Sequence, residues 1–231
     1  MLGAVHMEHV ADYQRQRARM VRRQLARRGI QDRRVLEALA SVPREAFVPQ
    51  NLAAYAYDDG PLPIGEGQTI SQPYIVAFTA EALELSPEAR VLDVGTGSGY
   101  AAAVLSLLAR EVYGIERVEG LCRSARARLA ELGYGNVLEV RCGDGTLGWP
   151  EHAPYDAIAV GAVGPRPPPA LLGQLTLGGR LVMPIGPDGD QTLMRLTRTG
   201  PTSYHQEPLV GVRFVPLIGE QGFTGDAVAG R

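Results

Sequence analysis

The chain has 231 residues, a formal net charge of −2, 45% hydrophobic and 21% charged residues. That length accommodates one α/β domain with a sizeable core, and the near-neutral charge argues for neither a nucleic-acid nor a membrane partner. No apolar run approaches the roughly 18–20 residues that span a bilayer, and no signal-peptide core opens the chain, so the expectation is a cytoplasmic, soluble protein.

All 23 Lys+Arg positions are arginine, a composition bias that weakens any argument from a single guanidinium. The two cysteines, Cys122 and Cys142, imply no disulfide framework. The scattered His6, His9, His152 and His205 imply no metal site. Met1 to Val5 read as an extension, with Met7 as an alternative start.

In chain order, Val10–Arg28 reads as a basic helix whose arginines form a solvated face, the alternative being a phosphate-binding stripe. Asp32 is the predicted N-cap of a second helix, in which Val35, Leu36, Leu39 and Val42 recur at spacings of three and four until Pro43. Asn51 to Ser71 is loop-rich, and loops of that length often carry function. A helix from Pro73 to Leu85 precedes the strand Arg90–Val94, and another runs from Gly99 to Ala109. The strand Glu111–Ile115, the helix Val118–Leu132 and the strands Val137–Arg141 and Asp156–Val160 follow. This alternation predicts an α/β fold with a doubly wound, mostly parallel sheet. Arg180–Pro184, Gln191–Arg198 and Tyr204–Val212 predict an antiparallel C-terminal edge. The whole, 1–231, reads as one domain: an N-terminal helical extension at 10–60, a core at 61–200, a strand region at 201–224 and a disordered tail at 225–231.

The strand Arg90–Val94 runs into Gly95-Thr96-Gly97-Ser98-Gly99-Tyr100. Glycines there allow positive φ and close approach of a ligand to the backbone. A dinucleotide site wants G-x-G-x-x-G/A, and Tyr100 occupies its third glycine position. The spacing G-x-G-x-G, two residues after Asp93, instead resembles the first motif of class I methyltransferases, which bind S-adenosylmethionine. Asp93 is then placed to orient the cofactor's amino group. Glu116, with Arg117 beside it, lies about 20 residues after the loop, where an acid accepts the ribose hydroxyls. Past the third core strand, Asp144 and Gly145 are assigned to the adenine, with a simple turn as the alternative.

The stretch from Gly65 to Tyr74, containing Gln68-Thr69-Ile70-Ser71-Gln72-Pro73, resembles the signature of protein-L-isoaspartate O-methyltransferases. Val42-Pro43-Arg44-Glu45-Ala46-Phe47-Val48, Ala153 to Ile158 and Val212 to Leu217 extend the likeness over nearly the whole chain. The resemblance implies methyl transfer to the free carboxylate of L-isoaspartyl residues in damaged proteins, by a protein expected to be a monomer. It also implies that Ser71 is the active-site serine and that Gln68, Thr69 and Ile70 line the cofactor and acceptor. Gly161, Ala162, Val163 and Val215 would border the acceptor peptide, although similar enzymes carry an alanine-rich run where this chain has Gly161-Ala162-Val163-Gly164-Pro165.

On chemistry alone a carboxylate needs positioning rather than a base, and a Ser71 hydroxyl without a histidine partner suits that task. Ser71 also has a purely structural alternative as an N-cap for the helix at Pro73. Two other functions stay open. One is a different acceptor, small molecule or nucleic acid, the latter without the Asn/Asp-Pro-Pro-Tyr/Phe motif expected after the fourth strand. The other is a cofactor-binding module without turnover, which would have no need of Gln68 to Ser71.

Overall fold

A computed structural model describes residues 12–187 and 189–224 of the chain. Its first helix, α1 (12–20), passes into a wider π turn at Val21–Leu25 and a 3-10 turn at Ala26–Arg28, ending at left-handed Gly29. The uniform helix expected to Arg28 is therefore broken. The wider turn lets Met20 and Leu25, five residues apart, both reach the core. Residues 10 and 11, the start of the chain and the expected tail at 225–231 lie outside the described residues.

Arg15, Arg19, Arg22, Arg23, Arg27 and Arg28 of the basic run are exposed, as a solvated face requires, and Arg28 pairs at the surface with Asp59 at 2.9 Å. Arg17 instead donates to the Tyr57 hydroxyl and the Ser41 carbonyl, and Arg34 to the carbonyls of Leu85 and Leu108.

Helix α2 (Arg33–Ser41) starts as expected, with the Asp32 carboxylate accepting from Arg34 N at 2.7 Å and Val35 N at 3.3 Å. Such a cap contributes about 1 kcal/mol. The loop-rich stretch that follows holds an unexpected antiparallel hairpin, β1 (Leu62–Gly65) and β2 (Gln68–Ile70), with Pro63 opposite Thr69. Strands of three and four residues are too short for an alternation to register.

The remaining elements follow the predicted order: α3 (Pro73–Ala82), β3 (Arg90–Val94), α4 (Tyr100–Ser106), β4 (Glu111–Glu116), α5 (Glu119–Glu131), β5 (Val137–Cys142) and β6 (Tyr155–Val160). After these come α6 (Pro169–Gly173), β7 (Leu175–Ile185), β8 (Gln191–Arg198) and β9 (Tyr204–Val212). Strand β7 starts five residues earlier than its apolar pattern indicates, because Gly178 and Gly179 interrupt that pattern.

The main sheet runs β5-β4-β3-β6-β7-β8-β9, parallel through β7 and antiparallel beyond it. Alternate residues of each strand serve two cores. Val91, Val112 and Ala157 join one with α3 and α4, while Leu92, Val94, Tyr113 and Ile158 join the other. The strand order reverses at β3, so the crevice outside its carboxyl end, between β4 and β6, is the place for a ligand in such a sheet.

One expectation is corrected here. Cys122 on α5 and Cys142 at the end of β5 form a disulfide, with Cα atoms 5.6 Å apart. A separation of 20 residues shows no pairing in a linear sequence; the two meet because α5 folds back over β5. Closing a loop of that size contributes about 3 kcal/mol. Reduction, or Cys142→Ser, is therefore expected to lower Tm by roughly 6–10 °C. Thermal scans with parallel thiol counting check this, and an unchanged Tm with both thiols free would count against a stabilising bridge.

Candidate active site

The glycine loop leaves β3 with Gly95, Gly97 and Gly99 at φ +81, +55 and +93, a region that strains any residue with a Cβ. The loop is held by its neighbours: Gly95 N and Thr96 N donate to the Ile115 carbonyl at 2.8 and 3.2 Å. Glu116, at the end of β4 and nearly buried, accepts from Gly97 N through Oε2 and from Val118 N through Oε1, both at 2.8 Å. Each of its oxygens thus has one lone pair fixed on the protein and one available to a ligand. Thr96 and Ser98 are buried, and a Cβ on Gly99 would sit 3.2 Å from Leu129 Cδ1. These three residues shape the loop from behind.

Three cavities meet at Gly161, just past β6. A slot of about 80 Å³ takes in Gln68, Thr69, Gly95, Gly97, Glu116, Arg117 and Gly145 of the expected cofactor set, with Gly161, Ala162 and Val215. A trench of about 560 Å³ opens from it and is walled by Thr69, Ser71, Gly161 and Val215. A hollow of about 40 Å³ joins Ser71 to Asp93 and Gly161 beneath α3 and α4. Gly161 is held by a hydrogen bond from its N–H to the Val94 carbonyl at 2.8 Å, and a Cβ there would lie 3.2 Å from the Gly95 carbonyl oxygen.

Other expected residues are set back from these spaces. Ile70 is buried in the core under the hairpin. Val163 is 3% exposed and ties the wall together: its N–H donates to the Val215 carbonyl, and its carbonyl accepts from Leu217 N.

Ser71 is not a helix cap. Gln72 holds the N-cap position of α3 and makes no side-chain capping bond, and Ser71 precedes it at the mouth of the trench. The Gln72 amide instead donates to Asp59 Oδ1 at 2.7 Å, and that carboxylate also holds Arg28.

Asp93 is buried, and its Oδ2 has no hydrogen-bond partner among the described residues. Burial pushes its pKa up to about 7; the nearby Thr96 hydroxyl opposes the shift and the charge of Glu116 adds to it.

Asp144, assigned from sequence to the adenine, has both oxygens on protein donors. Oδ1 accepts from Thr146 N and Oγ1 at 2.8 and 2.7 Å, and Oδ2 accepts from Glu220 N at 2.7 Å. Gln221 N donates to the Thr146 hydroxyl at 3.0 Å, so the segment after β9 is strapped over this turn. Gly145 faces the slot instead, and a Cβ on it would come within 2.6 Å of Val94 Cγ1.

The sequence offers no sign of Gln191. Buried at the start of β8, it accepts from Phe214 N at 2.7 Å and donates to the Phe214 carbonyl at 3.4 Å, which sets the far wall of the trench. Only a polar residue at a buried strand position marks it, and which strand positions are buried is learned from the fold.

A glycine loop at the switch point of a seven-stranded sheet, an acid closing the next strand and an orphaned buried carboxylate define a class I S-adenosylmethionine-dependent methyltransferase. The family model described as Protein-L-isoaspartate(D-aspartate) O-methyltransferase (PCMT) matches residues 15–222. The chain belongs to that family. It is 60% identical over 205 residues to Protein-L-isoaspartate O-methyltransferase 2 of Pelobacter propionicus, covering 88% of this chain and 91% of the relative. A solved protein-L-isoaspartate O-methyltransferase superposes with a TM-score of 0.81 at 30% identity, over 89% of this chain and 67% of that one. A Plasmodium falciparum relative, solved with S-adenosyl-L-homocysteine, has a TM-score of 0.76 at 26% identity, over 87% of this chain and 98% of that one.

Proposed function

We propose that this site moves a methyl group from S-adenosylmethionine to the free carboxylate of an L-isoaspartyl residue, with Ser71 holding the acceptor. The protein is an S-adenosylmethionine-dependent protein-L-isoaspartate O-methyltransferase. The observation that carries the assignment of roles is that cofactor slot and acceptor trench share Thr69, Gly161 and Val215, while Ser71 lines the trench and the hollow that reaches Asp93.

The residues fit the cofactor. Glu116 has lone pairs free for two ribose hydroxyls, the glycine loop leaves room for close approach, and the orphaned Asp93 Oδ2 suits an ammonium group. Gly145 offers backbone to the adenine edge, while Asp144 supports that side by anchoring the turn and its strap. When bound, the cofactor supplies a sulfonium methyl as electrophile. The acceptor carboxylate, with a reference pKa of about 4, is ionised at neutral pH and needs no base. The Ser71 hydroxyl donates to one carboxylate oxygen, which leaves the other to face the methyl. The resulting ester closes to a succinimide, whose hydrolysis restores some normal aspartyl linkages.

We read the enzyme as a cytoplasmic monomer without a nucleic-acid partner. For the last point, Arg17 and Arg34 are engaged by Tyr57 and by backbone carbonyls rather than left for phosphates, and no described helix is long and apolar enough to cross a membrane.

The test is transfer of labelled methyl groups to two peptides that differ only in isoaspartyl against normal aspartyl linkage. Transfer confined to the isoaspartyl peptide is expected. Cofactor binding with no transfer to either peptide would overturn the acceptor.

Asp93 adds a pH dependence. With its carboxyl raised to about 7, the free folded protein holds a proton that an unfolded chain releases near pH 4. Its contribution to stability therefore falls as pH rises through that window. A cation beside it favours the ionised form, so binding expels the proton and affinity rises between about pH 5 and 7. Calorimetry in two buffers of different ionisation enthalpy reads this release; constant affinity with no proton released would remove Asp93 from the cofactor site.

A further inference from the structure

Among the described residues lining the trench, the only charged ones are Asp190 and Arg213. Both are exposed, and neither takes part in any ion pair among the described residues. The backbone under Arg213 is nevertheless fixed. Gln191 grips both the N–H and the carbonyl of the adjacent Phe214, and Val212 pairs with Gln191 in the β8–β9 ladder. A rigid strand end thus presents a guanidinium without an ion pair among the described residues to a trench that Ser71 also lines.

With the reacting carboxylate given to the neutral Ser71 hydroxyl, the Arg213 guanidinium is left for another anionic group of the bound segment, and its planar fork of donors suits a carboxylate.

We propose that Arg213 is a specificity-determining residue that selects isoaspartyl segments carrying another carboxylate, from Asp, Glu or a chain terminus, one or two residues away. This rests on the trench being the acceptor side of the site. An ion pair formed at a wetted rim is modest, so the expected preference is about three- to fivefold. It falls on KM, because the contact is present in the bound substrate as much as in the transition state.

The test uses the intact protein and isoaspartyl peptides bearing Glu, Gln or Lys at positions one and two on either side. Wild type is expected to show the lowest KM for a Glu peptide on one side, with the advantage shrinking as salt is raised. Arg213→Glu should reverse the order in favour of Lys, and Arg213→Lys should keep the wild-type order at reduced size. The same order of KM values in wild type and Arg213→Glu, or an equal loss on every peptide, would overturn the proposal and leave Arg213 a structural residue. Failure of wild type to methylate any isoaspartyl peptide would instead overturn the acceptor assignment, and this proposal with it.

Discussion

Ser71→Ala is expected to lower turnover on an isoaspartyl peptide by about 10–100-fold, the equivalent of one hydrogen bond to a charged group. Affinity for S-adenosylmethionine should stay within about twofold. The split follows from position: Ser71 lines the trench and the hollow but not the slot. The variant should also fold normally, because Ser71 makes no helix cap and Gln72 is held independently by Asp59. Without the hydroxyl the acceptor carboxylate can still enter, but it is no longer turned with one oxygen toward the methyl, and a small misplacement of reacting atoms costs rate steeply. Ser71→Thr retains the hydroxyl and should recover part of the loss. Single-turnover kinetics separates this from slow product release. Undiminished turnover in the alanine variant would take Ser71 out of the mechanism.

The parts of the fold legible in the sequence are those set by local chemistry or by runs long enough to show a period. The limits of β3, β8 and β9 coincide with their apolar patterns, and Asp32 caps α2 because an acid two and three residues before free N–H groups needs nothing else. The glycine loop is legible for the same reason, since its positive φ angles demand glycine one by one.

What stays hidden depends on partners distant in the chain. The Cys122–Cys142 bridge needs α5 laid over β5, and the Gln191 clamp needs the end of β9 beside the start of β8. Asp144 reads as a ligand carboxylate in the sequence, and only the fold shows that Glu220, 76 residues on, also donates to it. The trench is the least legible element. Its walls come from the hairpin, α3, the β7–β8 turn and the segment after β9, so no single stretch of sequence outlines it. The slot beside it is more readable, because ligands of an open α/β sheet bind outside the carboxyl ends of its strands at the switch point.

The same reasoning sets the second large effect. Glu116→Ala is expected to weaken S-adenosylmethionine binding by about 3 kcal/mol, on the order of 150-fold, for the loss of charge-assisted bonds to the ribose. Glu116 differs from Ser71 in doing two tasks. It faces the slot, and it also holds Gly97 N and Val118 N, which would be left unsatisfied near the slot. Each such loss costs about 1–3 kcal/mol, so the variant should also melt earlier. Loss of affinity alone would then not distinguish a ribose contact from a collapsed glycine loop. The distinction comes from pairing the variant with an S-adenosylhomocysteine analogue that lacks one ribose hydroxyl. If Glu116 contacts that hydroxyl, wild type discriminates against the analogue while Glu116→Ala binds both ligands alike, a coupling that a merely loosened loop does not produce. Equal discrimination by both proteins would leave Glu116 as a brace for Gly97 and Val118 and send the search for the ribose acceptor elsewhere in the slot.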